Sequence, residues 1–442
     1  MIDLEFVPYR NAMMAGTAQE VVVMLKVSAV SQPTPRESQP RANLNIAIAL
    51  DRSGSMAGRP LLESIRCAEM IIDRMTATDR LSIIGYDNDV ETYLPSTYVQ
   101  NRQAIKEIVR KITPGGMTAL YDGWHAAAEQ VAQHLKPRDI SRVLLLSDGC
   151  ANVGLTNPER IADHCAELAT AGVSTSTYGL GPNFNELLMA AMARGGQGHA
   201  NYGQTAEDLM DPFQEEFDLL DALVARKLRL DLVPEPGVSF EILNDYQNAQ
   251  DGTIILPDLA DEGYVWALIR AAIEDNVATP TGESKRILTA SLSYIDSHGE
   301  QQKTEPCTLY LTPMPLDAYE AVAVEPVVQD RSVELQVARL QTQAAQHARN
   351  RDWAAVSDIV TQLEEIGSSN AWVSASINVL KGYQRMRDSK AFAKEAHYKA
   401  QRMSSRIADA DEHADIWSSE DENSKSSFLR KKLEQGKRHG GS

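Results

Sequence analysis

The chain has 442 residues, a length that predicts two or three domains. Of these residues 43% are hydrophobic and 24% charged, which fits a soluble globular protein. Its formal net charge of −18 opposes binding to nucleic acid or to an anionic membrane surface. The first residues are acidic and no long apolar run occurs, so we expect a cytoplasmic protein without a membrane span. Its 4 cysteines are widely spaced, which argues against a zinc site and against a disulfide framework.

Residues 1–30 contain two predicted strands. Apolar and polar side chains alternate over 2–9 and again over 18–30, which is the period of a strand with one buried face. Residues 31–42 are polar and interrupted by prolines, so they predict a linker.

From residue 43 to residue 220, strand-like runs alternate with helical patterns, which predicts an α/β domain with a doubly wound, mainly parallel sheet. The predicted strands are 44–50, 80–86, 141–147 and 174–180, and the predicted helices are 60–76, 100–111, 118–135, 157–171, 184–193 and 205–220. The stretch ETYLP (91–95) predicts an antiparallel strand at the edge of this sheet. The glycines of 194–203 follow a helix, so we interpret them as a tight turn rather than a phosphate-binding loop.

The pattern becomes all-β after residue 225 and helical after residue 330. Strands over 225–315 predict an antiparallel sandwich, which the strands of 1–30 would complete if the α/β domain is inserted between them. Apolar residues three and four apart predict a helical region over 330–408. The polar, charged composition of 409–442 predicts a disordered tail.

A short polar motif ends the first strand of the α/β region. In the stretch NIAIALDRSGSM, Asp51, Ser53 and Ser55 follow a buried strand at alternate positions, with Gly54 as the turn residue. Small polar residues before a helix are ordinary N-caps, so the motif alone also fits a helix start or a serine nucleophile. Its position favours a ligand site, because ligands bind at the carboxyl edge of a parallel sheet.

Two further loops at the same predicted edge carry oxygen ligands. The loop TPGGMTALYDG (113–123) places Thr118 before a helix, and VLLLSDG places Asp148 directly after a second buried strand. Two carboxylates and three hydroxyls, without histidine or cysteine, are a hard donor set. Such a set suits Mg²⁺ or Mn²⁺, with Ca²⁺ as an alternative.

The sequence offers little for an enzymatic site. The motif around Ser53 lacks the G-x-S-x-G pattern of a hydrolase, and no G-x-x-x-x-G-K-[ST] loop occurs. Ser53 also stands where an aspartyl phosphotransferase would carry its second carboxylate. The histidines His125, His134 and His164 lie on predicted helices, where packing and surface roles are common. We therefore expect a protein that is not an enzyme.

The D-x-S-x-S motif, the G-G-x-T-x-L loop and the L-x-S-D-G turn occur in the order found in the von Willebrand factor A family, which residues 43–220 resemble. In that family the matching positions form the metal-ion-dependent adhesion site, and none of them is substituted here. The resemblance implies that Ser53 and Ser55 bind the ion through their hydroxyls. Asp51 and Asp148 would bind it directly or through water, and Thr118 would do either, depending on the conformational state.

The layout of the chain resembles bacterial intracellular proteins related to inter-α-trypsin-inhibitor heavy chains and calcium-activated chloride channel regulators. An ion held by two carboxylates and neutral hydroxyls stays electrophilic and keeps a water that an external carboxylate can replace. We therefore expect a metal-dependent protein-binding module that captures an Asp or Glu side chain of a partner protein. The alternative is an accessory subunit of an enzymatic complex, beside an AAA+ ATPase of the chelatase type or in a kinase–phosphatase stress-signalling system.

Overall fold

The computed structural model describes residues 2–29, 42–147, 151–180, 184–203, 222–261, 263–278, 283–367, 371–404 and 408–409, with scattered positions between 208 and 220. Nearly all of the predicted linker and tail lies outside these described residues. The described residues fall into two compact units. One unit lies within Glu37–Ala222 and Ser297–Glu300. The other lies within Met1–Arg36, Leu223–Asp296 and Gln301–Ser442.

Strands and helices are numbered along the described chain. The strands are β1 (Ile2–Pro8), β2 (Met13–Met14), β3 (Gln19–Ala29), β4 (Leu44–Asp51), β5 (Arg80–Tyr86), β6 (Val90–Tyr98), β7 (Ile140–Ser147), β8 (Ser174–Leu180), β9 (Gln197–Gly203), β10 (Leu223–Pro234), β11 (Val238–Ile242), β12 (Ile254–Ile255), β13 (Leu259–Ala260), β14 (Gly263–Ile273), β15 (Lys285–Asp296), β16 (Gln301–Lys303), β17 (Cys307–Leu311), β18 (Pro313–Met314) and β19 (Ala408–Asp409). The α-helices are α1 (Arg59–Arg74), α2 (Arg102–Val109), α3 (Leu120–Ala132), α4 (Pro158–Ala171), α5 (Glu186–Gly195), α6 (Leu316–Ala321), α7 (Pro326–Arg349), α8 (Trp353–Gly367), α9 (Ala371–Met386) and α10 (Ser389–Ser404).

The α/β unit is built on one mainly parallel sheet, whose described strands lie in the order β6-β5-β4-β7-β8-β9. Neighbouring strands are parallel except β5 and β6, which form an antiparallel hairpin at the edge. The central strands β4 and β7 are buried along their whole length, as their continuous apolar runs require. The predicted fold class and edge strand are thus confirmed.

Helices pack on the sheet through small and aromatic side chains. On one face, Ala47 and Val143 of the sheet share a buried cluster with Trp124 of α3 and Leu188 of α5. Trp124 Nε1 donates a hydrogen bond to Thr175 Oγ1 (3.0 Å), so the buried indole is also satisfied. Asparagine side chains cap α2, α4 and α5, each accepting a hydrogen bond from a first-turn N–H.

The prediction of a tight turn over 194–203 is wrong for most of that stretch, because Gln197–Gly203 forms strand β9. This strand is glycine-rich and partly exposed, so it lacks the apolar alternation that marks a strand. A Cβ at Gly198 would lie 2.2 Å from the carbonyl oxygen of Thr175, so the close approach of β9 to β8 requires glycine.

Glu216, one of the described helical residues after β9, is joined to the sheet by a buried polar network. Its carboxylate pairs with Arg142 and accepts hydrogen bonds from Ser176 Oγ (2.6 Å) and Tyr178 Oη (2.5 Å). Burial alone would raise the pKa of Glu216, but the Arg142 guanidinium, His199 and Ser176 hold it well below its ordinary value. The network therefore holds a charged carboxylate inside the α/β unit.

The second unit contains two antiparallel sheets that share one core. The first has the order β1-β3-β14-β11, with β19 also pairing with β14, and the second has the order β12-β10-β15-β16, with β13 and β17 at its sides. Strand β3 pairs with β14 over ten positions, so strands from before and after the α/β unit lie in the same sheet. Apolar residues of both sheets, such as Val23, Ile269, Leu230 and Leu292, form the shared core.

The helices α7 to α10 form a bundle in which α7 and α9 each contact both α8 and α10. Its core includes Val337, Leu363, Leu380 and Phe392. Val328 and Leu335, also on α7, pack on Trp266 of the first sandwich sheet. No helix in the described part of the chain is both long and apolar enough to cross a membrane.

Candidate metal site

The candidate site lies at the carboxyl edge of the parallel sheet, where the loop after β4 meets the loop before α3. The N–H of Gly54 donates to the carbonyl of Gly116 (2.7 Å), and the N–H of Gly115 donates to the carbonyl of Arg52 (2.6 Å). Arg52 in turn donates its N–H to the carbonyl of Tyr86 at the end of β5 (2.9 Å). These backbone hydrogen bonds join three loops at one edge of the sheet.

Asp51, the last residue of β4, is fully buried, with 0% of its surface exposed. Its Oδ1 accepts a hydrogen bond from the N–H of Ser53 (2.8 Å), and its Oδ2 accepts one from Ser147 Oγ (2.6 Å). Ser147 ends β7, the strand beside β4. These bonds offset the cost of burying the carboxylate and fix the direction in which it points.

Ser53 is buried, Ser55 is exposed, and their Oγ atoms lie 3.1 Å apart. Adjacent ligands of an octahedral Mg²⁺, each about 2.1 Å from the ion, lie roughly 3.0 Å apart. The two hydroxyls are thus spaced as neighbouring ligands of one ion would be. Together with the Asp51 carboxylate, they form a donor set that fits a hard divalent ion.

Helix capping does not account for the motif. Gly54–Met56 forms a single 3₁₀ turn whose N-cap, Ser53, makes no side-chain cap hydrogen bond. The following helix, α1, begins after Gly58, again without a side-chain cap, and has Pro60 in its first turn. The side chains of the motif are therefore not used to start a helix.

Thr118 is buried, with 3% of its surface exposed, in the loop before α3. Its N–H donates to Asn152 Oδ1 (2.8 Å), and its carbonyl accepts from the N–H groups of Asn152 (3.1 Å) and Val153 (3.3 Å). Asn152, which follows β7 in the chain, thus holds the backbone of Thr118. Gly115 and Gly116 of the same loop bond to the loop after β4.

Asp87, in the turn between β5 and β6, is a buried carboxylate beside the predicted ligands. It forms an ion pair with Arg52 (Nη2 to Oδ1, 3.3 Å) and accepts the N–H groups of Asp89 (2.9 Å) and Gly116 (3.1 Å). Burial alone would raise the pKa of Asp87, but these N–H groups and the Arg52 charge outweigh it and lower the pKa. Asp87 therefore stays ionised at neutral pH.

Of the five predicted ligands, the structure brings Asp51, Ser53 and Ser55 together and places the loop that carries Thr118 against the loop after β4. The fifth, Asp148, lies outside the described residues. Three residues that support the site, Ser147, Asn152 and Asp87, were not predicted. A search for polar side chains after every strand of the sheet would have flagged Asp87, since it directly follows β5.

Comparison with known proteins identifies the α/β unit. Residues 45–215 match the von Willebrand factor type A domain. The chain is 29% identical over 202 residues to the protein sll0103 of Synechocystis, covering 44% of this chain and 46% of that protein. It is 30% identical over 234 residues to human inter-alpha-trypsin inhibitor heavy chain H3, covering 49% of this chain and 26% of that protein. The chain therefore spans less than half the length of either curated relative.

A solved structure extends the likeness to the fold of nearly the whole chain. The von Willebrand factor type A protein from Catenulispora acidiphila superposes with a TM-score of 0.70 over 86% of this chain and 89% of its own, at 15% sequence identity. At that identity the likeness concerns the fold alone. With the sequence match and the strand order, it confirms the resemblance inferred from the motifs: residues 45–215 form a von Willebrand factor type A domain.

Proposed function

We propose that this domain binds a divalent ion and uses it to capture an Asp or Glu side chain of a partner protein. Von Willebrand A domains typically mediate protein–protein interaction or metal-dependent binding. The observation that carries the proposal is the meeting of Asp51, Ser53 and Ser55 with the Thr118 loop at one sheet edge. Asp148 completes the proposed ligand set, and Mg²⁺ is the proposed ion, with Mn²⁺ and Ca²⁺ as alternatives.

The chemistry of the proposed ligands supports capture of a carboxylate. Serine and threonine hydroxyls are neutral donors, so the ion keeps much of its positive charge. Ser55 is exposed, which leaves the ion accessible from solvent on that side. A carboxylate from a partner could replace a bound water and supply the missing negative charge. The proposal assigns no catalytic step to this chain and places it in the cytoplasm.

A pull-down of the full chain from lysate of its own organism tests this function. Partners retained in Mg²⁺ should be lost in EDTA, return when Mn²⁺ is added in excess, and be absent with Asp51→Ala in Mg²⁺. The reason is that Asp51 is a buried carboxylate of the proposed ligand set.

Asp163→Ala is the matched control, since it removes an exposed carboxylate of the same domain from α4. This variant should retain the partners that wild type retains. The same partners surviving both EDTA and Asp51→Ala would show that capture does not use the ion.

A further inference from the structure

The turn between β5 and β6 lies directly against the loop that carries Thr118. Asp87 Oδ2 accepts a hydrogen bond from the N–H of Gly116 (3.1 Å), two residues before Thr118. The carbonyl of Asp87 accepts one from the N–H of Ala119 (2.8 Å), the residue after it. Asp87 therefore holds the backbone on both sides of Thr118.

Asn88, the next residue of the turn, adds a further contact to this loop. Its Oδ1 accepts a hydrogen bond from the N–H of Met117, directly before Thr118. Met117 itself is exposed, with 53% of its surface accessible, so apolar burial of its side chain does little to hold it. The loop depends here on hydrogen bonds to the turn.

The glycines of the loop are explained by the same turn. A Cβ at Gly115 would lie 1.5 Å from Asp87 Oδ2, and one at Gly116 would lie 2.1 Å from Asn88 Oδ1. Both distances are far inside van der Waals contact, so a side chain at either position would displace Asp87 or Asn88 from the loop. The pair Gly115-Gly116 is thus matched to the turn opposite it.

Asp87 also connects the turn to the loop that carries the other ligands. Its Oδ1 pairs with Arg52, which lies between Asp51 and Ser53 in the chain. Only 9% of the Asp87 side chain is exposed. One carboxylate therefore contacts the segments on both sides of the candidate site.

We propose that Asp87 is a positioning residue that holds Thr118 in place for ion binding before the ion arrives. Asp87 does not contact the ion; it acts through the backbone of the Thr118 loop. The part of this inference that concerns the ion rests on the proposed function, whereas the ordering of the loop does not. Residues that support metal ligands from behind commonly change affinity by about 10- to 100-fold when removed.

Hydrogen exchange of the full chain in EDTA tests the ordering of the loop without any ion. In Asp87→Ala, the amide of Gly116 should exchange roughly tenfold faster than in wild type, because it loses its side-chain acceptor. The amide of Ala119 keeps its acceptor, the main-chain carbonyl of residue 87, so its exchange should rise less. Amides of β7 and β8 should be unchanged. Asp87→Asn, which keeps the shape of the side chain, provides a milder variant if Asp87→Ala does not fold.

Asp89→Ala is the matched control, because it removes an exposed carboxylate from the same turn. It should leave exchange of the Thr118 loop at the wild-type rate. Equal loop exchange in wild type and in both Asp87 variants would overturn the inference.

A double-mutant cycle for Mn²⁺ affinity tests the action through Thr118. Asp87→Ala should weaken Mn²⁺ binding about 10- to 100-fold in wild type and only slightly in a Thr118→Ala background. Equal losses in the two backgrounds would mean that Asp87 does not act through Thr118 and would overturn the inference. A wild-type protein that binds no Mn²⁺ would contradict the proposed function, and the exchange result would then decide on Asp87 alone.

Discussion

At the scale of single residues, the site depends on how the Asp51 carboxylate is held. One oxygen accepts the N–H of Ser53 and the other accepts the hydroxyl of Ser147, on the neighbouring strand. A carboxylate oxygen carries more than one lone pair, so a hydrogen bond to it does not by itself exclude an ion. Ser147 therefore orients the Asp51 carboxylate through a hydrogen bond and does not need to bind the ion itself.

Ser147→Ala should lower Mn²⁺ affinity about 10- to 100-fold, because the buried Asp51 loses the donor that orients it. It should also lower the free energy of unfolding by about 1–3 kcal/mol. Isothermal titration and thermal denaturation measure the two effects.

Ser82→Ala is the matched control for this change. Ser82 is equally buried on β5, and its Oγ has no hydrogen-bond partner in the described structure. Its removal should leave both quantities close to wild type. An affinity loss as large in Ser82→Ala as in Ser147→Ala would contradict the role given to Ser147.

The proposed ligands form a local sequence pattern, whereas the contacts that Ser147 and Asn152 make with them do not. Asp51, Ser53 and Ser55 are two residues apart and end an apolar run, so the pattern is local. Ser147 is 96 residues from Asp51, and Asn152 is 34 residues from Thr118. Such contacts exist only after the strands have taken their order in the sheet.

At the scale of secondary-structure elements, the glycines of the two loops differ in their roles. The sequence makes Gly54 the turn residue of the metal motif, yet its φ is not positive and a Cβ there would meet its nearest atom at 3.4 Å. The tight approach is instead at Gly115, where a Cβ would lie 1.5 Å from Asp87. The second loop, rather than the motif, is the one that requires glycine.

Gly115→Ala should therefore destabilise the domain by about 1–3 kcal/mol, the usual cost of forcing a methyl group into a packed site. Gly54→Ala makes the same chemical change where there is room, and it should leave stability within about 0.5 kcal/mol of wild type. Thermal denaturation of the two variants checks this. Similar losses in both would contradict the difference between the loops.

The strands of the α/β sheet show which elements a sequence reveals. The predicted strands 80–86 and 174–180 coincide with β5 and β8, because strands buried on both faces are continuous apolar or small-residue runs. Strand β9 was missed because its packing depends on glycine rather than on apolar side chains. Its position beside β8 is set by tertiary packing, which overrides local preference.

At the scale of the whole molecule, the net charge of −18 affects any metal measurement. A strongly acidic surface attracts divalent cations without binding them at one site. Salt at about 0.15 M screens such attraction beyond roughly 8 Å and leaves a site with direct ligands largely intact. Binding at Asp51 can therefore be separated from surface attraction in two ways. Physiological salt weakens the surface attraction, and a control variant that changes the net charge by the same amount as Asp51→Ala shows the effect of charge alone.

The most direct test of the central claim is a Mn²⁺ titration followed by electron paramagnetic resonance at physiological salt. Wild type and Asp163→Ala should each bind one ion tightly, while Asp51→Ala should lose this binding. Both variants remove one negative charge, so surface attraction changes equally in the two. A tightly bound ion that persists in Asp51→Ala with wild-type affinity would contradict the metal site proposed here.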